Sequence, residues 1–173
     1  MKDAVGSTML VYIVIIVVGI VGSILIASNM YTSAYKAKNN IVNEIDRYYM
    51  VNGNTDCFGE DTDDDGIVSD ICKNSIESTF KNMGYHTSAE CNKYESKVLS
   101  KAKNDEEGNP LVSVSRVYED SKDKGYCIYK IKYSDDSYYY TVVTVSHLNI
   151  NVLNIGSLFS NPVYGETRTF YDS

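Results

Sequence analysis

The chain has 173 residues, a formal net charge of −7, 16 Tyr, four Cys, two His and no Trp. This length is enough for one ordinary domain and an appendage. Binding to nucleic-acid phosphates needs a concentrated positive surface, which an acidic chain without a Lys/Arg cluster does not provide, so we expect no nucleic-acid partner. The many Tyr residues beside Ser, Asn, Asp and Lys predict strands with one face exposed to water.

The N-terminal part begins with a short leader, residues 1–8, followed by the almost wholly apolar run MLVYIVIIVVGIVGSILIA from Met9 to Ala27. About 20 apolar residues suffice for a helix to cross a bilayer. The run exceeds the roughly 7–15 residues of a signal-peptide core, and only Lys2 supplies a positive charge before it. We therefore interpret residues 9–30 as a retained transmembrane helix that contacts lipid, not as a cleaved signal peptide.

Residues 31–52 predict an amphipathic extension of the same helix. Their apolar residues recur at three- and four-residue steps, as in a helix with one apolar face: Ala34, Ala37, Ile41, Ile45, Tyr48 and Tyr49. We expect one continuous helix from about residue 6 to residue 51, with Ile41 and Ile45 packed against the rest of the domain. Gly19 and Gly22 are small residues that let a neighbouring helix approach closely.

The four cysteines follow the apolar run: Cys57, Cys72, Cys91 and Cys127. An even number of cysteines in a small Tyr-rich domain favours two disulfides in an oxidising compartment. Their spacings lack the close Cys pair of a zinc site. We therefore expect the C-terminal domain to be extracellular, although counting Lys and Arg on the two sides of the span favours the opposite orientation. Pairing Cys57 with Cys72 leaves Cys91 for Cys127, and three connectivities remain open.

The first two cysteines enclose the acidic stretch CFGEDTDDDGIVSDIC. Three aspartates occupy alternate positions, as in a calcium-binding loop, and Gly66 provides the sharp turn. The predicted calcium ligands are Asp61, Asp63 and Asp65, the Ile67 carbonyl, Ser69 through a water, and Asp70. The alternative interpretation is a solvated acidic loop closed by a disulfide.

The rest of residues 53–110 predicts a short helix, DICKNSIESTFKNM, capped by Ser69 and ended by Gly84, and then loops with one helical turn. Residues 111–173 predict an antiparallel sheet. Its strands are LVSVSRVY, YCIYKIKY, YYYTVVTVSHL, INVLNI and VYGETRTFY, with a hairpin turn at SDDS. An α+β fold follows, in which the long helix covers the small sheet.

The residue inventory argues against an enzyme. The two histidines, His86 and His147, lie in a predicted turn and a predicted strand, where we expect structural or surface roles. The chain lacks the common motifs of nucleotide-binding, hydrolytic and metalloprotease sites.

The architecture resembles the type IV pilin superfamily, in particular the pilin-like membrane proteins of Gram-positive bacteria related to tight-adherence (Tad) minor pilins. The resemblance rests on AVGSTMLVYIVIIVVGIVGSILIAS, YKAKNNIVNEIDRYY, NIGSLFSNPVYGETRTFY and two segments that join Gly-Tyr to Cys, at Gly84, Tyr85 and Cys91 and at Gly125, Tyr126 and Cys127. Type IV pilins carry Glu five residues after the Gly that precedes the cleaved bond. Here Gly6 is followed by Ser7 and, at the fifth position, Val11, so a minor pilin or an uncleaved pseudopilin fits better.

This resemblance implies a structural subunit of a surface filament or secretion apparatus, held in the cell membrane by one span. Its partners would be other pilin-like subunits, contacted through the N-terminal helix. The alternative is a monomeric single-pass protein whose extracellular domain binds calcium and a surface ligand that the sequence does not name.

Overall fold

A single N-terminal helix dominates the structure. The computed structural model describes residues 2–53, 55–58, 67–83, 89–102, 110–117, 125–147 and 160–171. Helix α1 (Lys2–Val51) runs without interruption for 50 residues, which confirms the predicted continuous helix. After it, the Asn52 N–H donates to the Tyr48 carbonyl over 3.0 Å and Gly53 adopts a positive φ of 66°. Glycine in this conformation is a common residue at the end of a helix.

Two shorter helices follow, α2 (Ile67–Asn82) and α3 (Asn92–Ala102). Helix α2 begins two residues before the predicted cap, so Ser69 lies inside its first turn. Helix α3 has 11 residues where loops and one helical turn were predicted, so that prediction was wrong. Its buried residues, Tyr94, Val98 and Ala102, are four apart and form one narrow face. They include a single aliphatic side chain larger than Ala, which made the helical period hard to detect.

The C-terminal part forms an antiparallel sheet. Its strands are β1 (Leu111–Arg116), β2 (Tyr126–Tyr133), β3 (Ser137–His147), β4 (Ser160–Glu166) and β5 (Phe170–Tyr171). The order is β1-β2-β3-β4, and β5 also pairs with β3. The predicted β2–β3 hairpin is confirmed, and Asp136 has a positive φ of 60° in its turn. The predicted strand INVLNI, residues 150–155, lies outside the described residues.

Helices α1 and α2 cover one face of the sheet, which we call the α1 face. Alternate residues of β2 and β3 point into it, as the pleat of a strand requires. The buried side chains of this face include Ile41, Ile45, Ile76, Phe80, Tyr126, Ile128, Tyr138, Tyr140, Val142 and Phe170. The amphipathic half of α1 is therefore part of the core, and the α+β arrangement predicted from the sequence is confirmed.

The opposite face, which we call the α3 face, is also buried. Its core includes Tyr94, Val98, Cys127, Tyr129, Ile131, Tyr133, Val143 and Val145. The prediction of a water-exposed strand face was therefore wrong for β2 and the centre of β3. Two Tyr hydroxyls of this face donate to backbone carbonyls: Tyr129 donates to the Cys91 carbonyl over 2.5 Å and Tyr133 donates to the Ala102 carbonyl over 3.0 Å. Such bonds let Tyr bury its ring without leaving the polar group unpaired.

Each face contains one disulfide. Cys57 pairs with Cys72, which joins the chain after α1 to helix α2 on the α1 face. Cys91 pairs with Cys127, which joins the chain before α3 to strand β2 on the α3 face. The two predicted disulfides are present, and the structure selects one of the three connectivities.

Candidate functional site: the apolar helix and its junction with the sheet

The apolar half of α1, residues 9–27, is almost wholly apolar on all sides and is uncovered. Its large apolar side chains from Met9 to Ile26 are between 50% and 68% exposed. The helix is long and apolar enough to cross a membrane, although signal sequences share this length and composition. So much exposed apolar surface requires lipid or other helices around it. This half is therefore compatible with a single-pass membrane anchor.

Small residues form one open face of this apolar half. Gly19, Ser23 and Ala27 are four apart and share a side of the helix. A Cβ atom built at Gly19 or Gly22 would meet nothing within 4 Å, so the space above both glycines is free within this chain. The Ser23 hydroxyl donates to the Gly19 carbonyl over 2.8 Å, which satisfies it inside the helix. Another helix would therefore find a groove here and no hydroxyl that needs a partner.

The same side of α1 meets the sheet about two to three turns further on. Ala34 and Ala37 are fully buried, and the Thr144 hydroxyl donates to the Ala34 carbonyl over 2.8 Å. Lys38 lies across Gly165 of β4, where a Cβ atom would come within 2.0 Å of the Lys38 Cδ. A side chain at position 165 would therefore have to displace the flexible Lys38 side chain.

The predicted packing residues lie in the middle of this junction. Ile41 and Ile45 are each 1% exposed and belong to the core of the α1 face. Beyond them, the Tyr49 ring packs on Phe170 with 4.3 Å between centroids, and the Tyr49 hydroxyl donates to the Tyr171 carbonyl over 3.4 Å. The helix and the sheet are thus in contact from Ala34 to Tyr49.

A partly buried carboxylate lies near the end of α1. Burial raises the pKa of Asp46, while a hydrogen bond from the Arg168 backbone and the positive charge of Arg168 oppose this shift. Arg168 donates to the Asp46 backbone carbonyl over 3.2 Å, while the buried Oδ1 of Asp46 has no hydrogen-bond partner among the described residues. Asp46 is therefore less stable in its ionised form than an exposed aspartate.

Sequence reasoning missed a polar cluster beside the first disulfide. Asp56 forms an ion pair with Lys130, with 2.5 Å between Oδ2 and Nζ, and accepts hydrogen bonds from the Tyr140 hydroxyl and from the Phe58 N–H. The Lys130 ammonium also lies 4.1 Å from the centroid of the Tyr138 ring. The sequence signal was weak, because Asp56 adjoins a much more acidic stretch. The cluster fixes the chain at the point where that stretch begins.

The predicted calcium ligands cannot be assembled from the described residues. Asp61, Asp63 and Asp65 lie outside them, as do the side chains of Ile67, Ser69 and Asp70, whose backbone forms the start of α2. Within the described part of the chain, no three His, Cys, Asp or Glu residues form a group suited to a metal. The calcium site stays a prediction. His86 also falls outside the description, and only the backbone of His147 is described, at the end of β3.

No protein-family model, no curated protein and no solved structure matches the chain. The functional assignment therefore depends on the geometry of α1 and on the residues that carry the resemblance to pilin-like proteins.

Proposed function

We propose that the protein is a pilin-like structural subunit, a minor pilin or pseudopilin, anchored in a bacterial cell membrane by residues 9–30 and contributing to a surface filament or secretion apparatus. It has no catalytic role in this proposal. Its contacts with other subunits are made by α1, and its sheet domain lies outside the cell.

One observation carries the proposal: the apolar half and the core half of α1 form one unbroken helix. A receptor needs only a tether between its anchor and its binding domain. Here, instead, Ala34, Ile41 and Ile45 of the anchor helix form part of the domain core. The position of each domain is thereby fixed relative to its own membrane segment. Such coupling supports a subunit whose helices pack in register with those of its neighbours.

The groove over the glycines supports helix-to-helix assembly. Ala27, Ala34 and Ile41 are seven residues apart and therefore lie on one side of α1. The open face of small residues thus continues into the face that packs on the sheet. Small residues at such a face let two helix backbones approach closely in a membrane.

The two disulfides support an external position for the sheet domain. Disulfides persist in oxidising compartments and are rare in the cytosol of most organisms. Both pairs in this chain lie in the core, one on each face of the sheet.

The test is cross-linking through α1 in cells that express the full chain. A photoreactive phenylalanine analogue at Tyr12, which is 68% exposed, should give a ladder of cross-linked multimers on irradiation. Gly19→Leu combined with Gly22→Leu should weaken the ladder by filling the groove. Because both positions are open within the chain, this double substitution should leave the melting temperature of the domain unchanged.

Val18→Leu combined with Val21→Leu is the matched control, since it adds volume to the same helix outside the glycine positions. Its ladder should equal that of the unmodified chain. A chain that inserts into the membrane yet yields only monomer on irradiation would reject the subunit proposal in favour of the monomeric single-pass alternative.

A further inference from the structure

Three contacts between α1 and the sheet establish how the sheet is oriented relative to the anchor helix. Where α1 first meets the sheet, the Ala34 carbonyl accepts a hydrogen bond from the Thr144 hydroxyl. Further along, Lys38 touches Gly165, which pairs with Val142 in the sheet. Near the end of α1, the Tyr49 hydroxyl donates a hydrogen bond to the carbonyl of Tyr171, which pairs with Ser137 in the sheet. Residues later in α1 therefore lie beside residues earlier in β3.

The distances along the two elements agree. From Ala34 to Tyr49 a helix rises about 22 Å at about 1.5 Å per residue. From Ser137 to Thr144 a strand extends about 23 Å at about 3.3 Å per residue. Strand β3 therefore runs nearly antiparallel to the axis of α1. The end of β3 and the start of β4 point back towards the apolar half of the helix.

The same rises per residue give the position of this end of the sheet along the axis of α1. Ser146 lies about 7 Å beyond Thr144 along the strand, and Met30 lies about 6 Å before Ala34 along the helix. Ser146 and its partner Asn161 are therefore level with Met30, the last residue of the predicted span. A headgroup layer is about 5–8 Å thick, as the difference between a hydrocarbon core of about 30 Å and a bilayer of about 40–45 Å implies.

We propose that this end of the sheet, the basal rim formed by Gly125, Ser146, Asn161 and Pro162, lies within the headgroup layer of the membrane. Its partner is the lipid headgroup surface of the bilayer that holds residues 9–30. The inference rests on the proposed membrane anchor, because the height of the rim is measured from that segment. In this arrangement the domain sits directly on the bilayer.

The residues of the rim itself support this orientation. The four residues of the basal rim are uncharged. Of the two segments that connect strands at this end, residues 148–159 contain no charged residue, whereas residues 118–124, directly before Gly125, contain three acidic residues and two lysines. The opposite end carries Asp135 and Asp136 in the β2–β3 turn. Anionic groups at a membrane surface repel nearby carboxylates. The end that carries Asp135 and Asp136 is therefore less suited to contact with lipid than the uncharged residues of the basal rim.

Single tryptophans test the inference, because the chain has none of its own. The full chain would carry Val18→Trp in the span, Asn161→Trp at the rim or, as control, Glu166→Trp. Positions 161 and 166 are both exposed in β4 and about 17 Å apart along the strand. Each variant would be reconstituted into phosphatidylcholine vesicles with a quencher attached either to the lipid headgroup or to the middle of the acyl chain.

Three results are expected. The headgroup quencher should suppress the fluorescence of Asn161→Trp strongly and that of Glu166→Trp weakly. The acyl-chain quencher should suppress Val18→Trp most. The near-ultraviolet circular dichroism of the Tyr residues checks that each variant is folded. If Asn161→Trp misfolds, Pro162→Trp reports the same height.

The outcomes separate this inference from the proposed function. If Val18→Trp is quenched by the acyl-chain probe while both strand positions are equally unaffected by the headgroup probe, the basal rim is clear of the bilayer. The inference is then wrong and the anchor stands. If Val18→Trp is not quenched either, residues 9–30 are not in the membrane, and the proposed function fails together with the inference.

Discussion

The two faces of the sheet are buried by different means. On the α1 face, a long helix contacts β3 and β4 from Ala34 to Tyr49, and α2 packs beside it. On the α3 face, a helix of only 11 residues covers the strands, with three of its residues buried. Helix α1 thus has a large contact area, whereas α3 depends on a few side chains and on the nearby Cys91–Cys127 bond.

This difference separates two sources of stability. Burial of apolar surface stabilises the α1 face, at roughly 25 cal/mol for each Å² removed from water. Isolated helices as short as α3 are marginal in water. The covering of this face by α3 therefore relies on tertiary contacts and on a cross-link that lowers the conformational entropy of the unfolded chain. We therefore expect point changes in the core to matter most on the α1 face, and loss of the covalent link to matter most on the α3 face.

The largest effect is expected from Ile45→Asp, which places a carboxylate in the core of the α1 face. Truncating a buried Ile costs about 2–5 kcal/mol, and an unpaired buried charge adds to this. The near-ultraviolet circular dichroism of the Tyr residues should be lost at room temperature, while far-ultraviolet helix signal from the apolar half of α1 persists. Asn43→Asp, at an exposed position of the same helix, is the control and should melt like the unmodified chain. Native-like melting of Ile45→Asp would contradict the packing described for α1.

Removal of each disulfide sharpens the comparison. Cys91→Ala with Cys127→Ala opens a loop with a sequence separation of 36, and Cys57→Ala with Cys72→Ala opens one of 15. The chain-entropy model gives losses of about 4 and about 3 kcal/mol. In the first variant, hydrogen exchange should accelerate in α3 well before it does in the second half of α1. Equal exchange of the two helices would show that the α3 face does not depend on its cross-link.

A smaller loss is expected from Asp56→Asn on the α1 side of the sheet. The substitution removes the charge that Lys130 pairs with and weakens the bond from the Tyr140 hydroxyl. Because hydrogen bonds to charged groups contribute more than neutral ones, we expect a loss of about 1–3 kcal/mol in denaturant unfolding.

Asp136→Asn is the matched control for this change. Asp136 pairs with Lys132 at 3.6 Å but has a side chain that is 74% exposed, and Asn tolerates its positive φ. Its effect should stay within about 0.5 kcal/mol, as for other exposed pairs. An equal effect of both substitutions would mean that the Asp56 cluster contributes no more than a surface pair.

The smallest effect is expected at Asp46, where burial raises the pKa above its ordinary value of 3.8. Between the unfolded and the folded pKa, the folded chain binds more protons than the unfolded chain, so stability falls as the pH rises through this window. Asp46→Asn should therefore be slightly more stable than the unmodified chain at neutral pH. The difference should shrink below the ordinary pKa. A stability gain that is the same at all pH values would show that ionisation of Asp46 is not its cause.

The sequence allowed the helix–sheet layout to be predicted because its signals are long or strongly periodic. The uncharged run after Met9 and the stripe that includes Ile41 and Ile45 identify α1 over its whole length. Alternating residues and the SDDS turn identify the β2–β3 hairpin. In each case the local pattern and the tertiary environment agree, so the pattern alone was sufficient.

Helix α3 and the buried α3 face escaped prediction for a physical reason. In α3, Val98 is the one buried aliphatic residue larger than Ala, and apart from Leu99 the residues within three positions of it are charged or polar. One face of each strand was expected to be exposed to water, yet in β2 the rings of Tyr129 and Tyr133 are buried and their hydroxyls bind the backbone near α3. Those bonds depend on where α3 packs, which no local pattern encodes. The Asp56–Lys130 pair likewise joins residues that are remote in sequence.

The near-antiparallel alignment of β3 with α1 has a mechanical consequence. A force that pulls the sheet domain away from the apolar half of α1 acts along α1 and therefore along β3 and β4. It loads the hydrogen bonds between these strands, and the contact from Ala34 to Tyr49, in shear, so that many bonds must break together and not one after another. A domain attached across its strands would peel open at lower force. The junction between α1 and the sheet is thus suited to bear tension along the axis of α1.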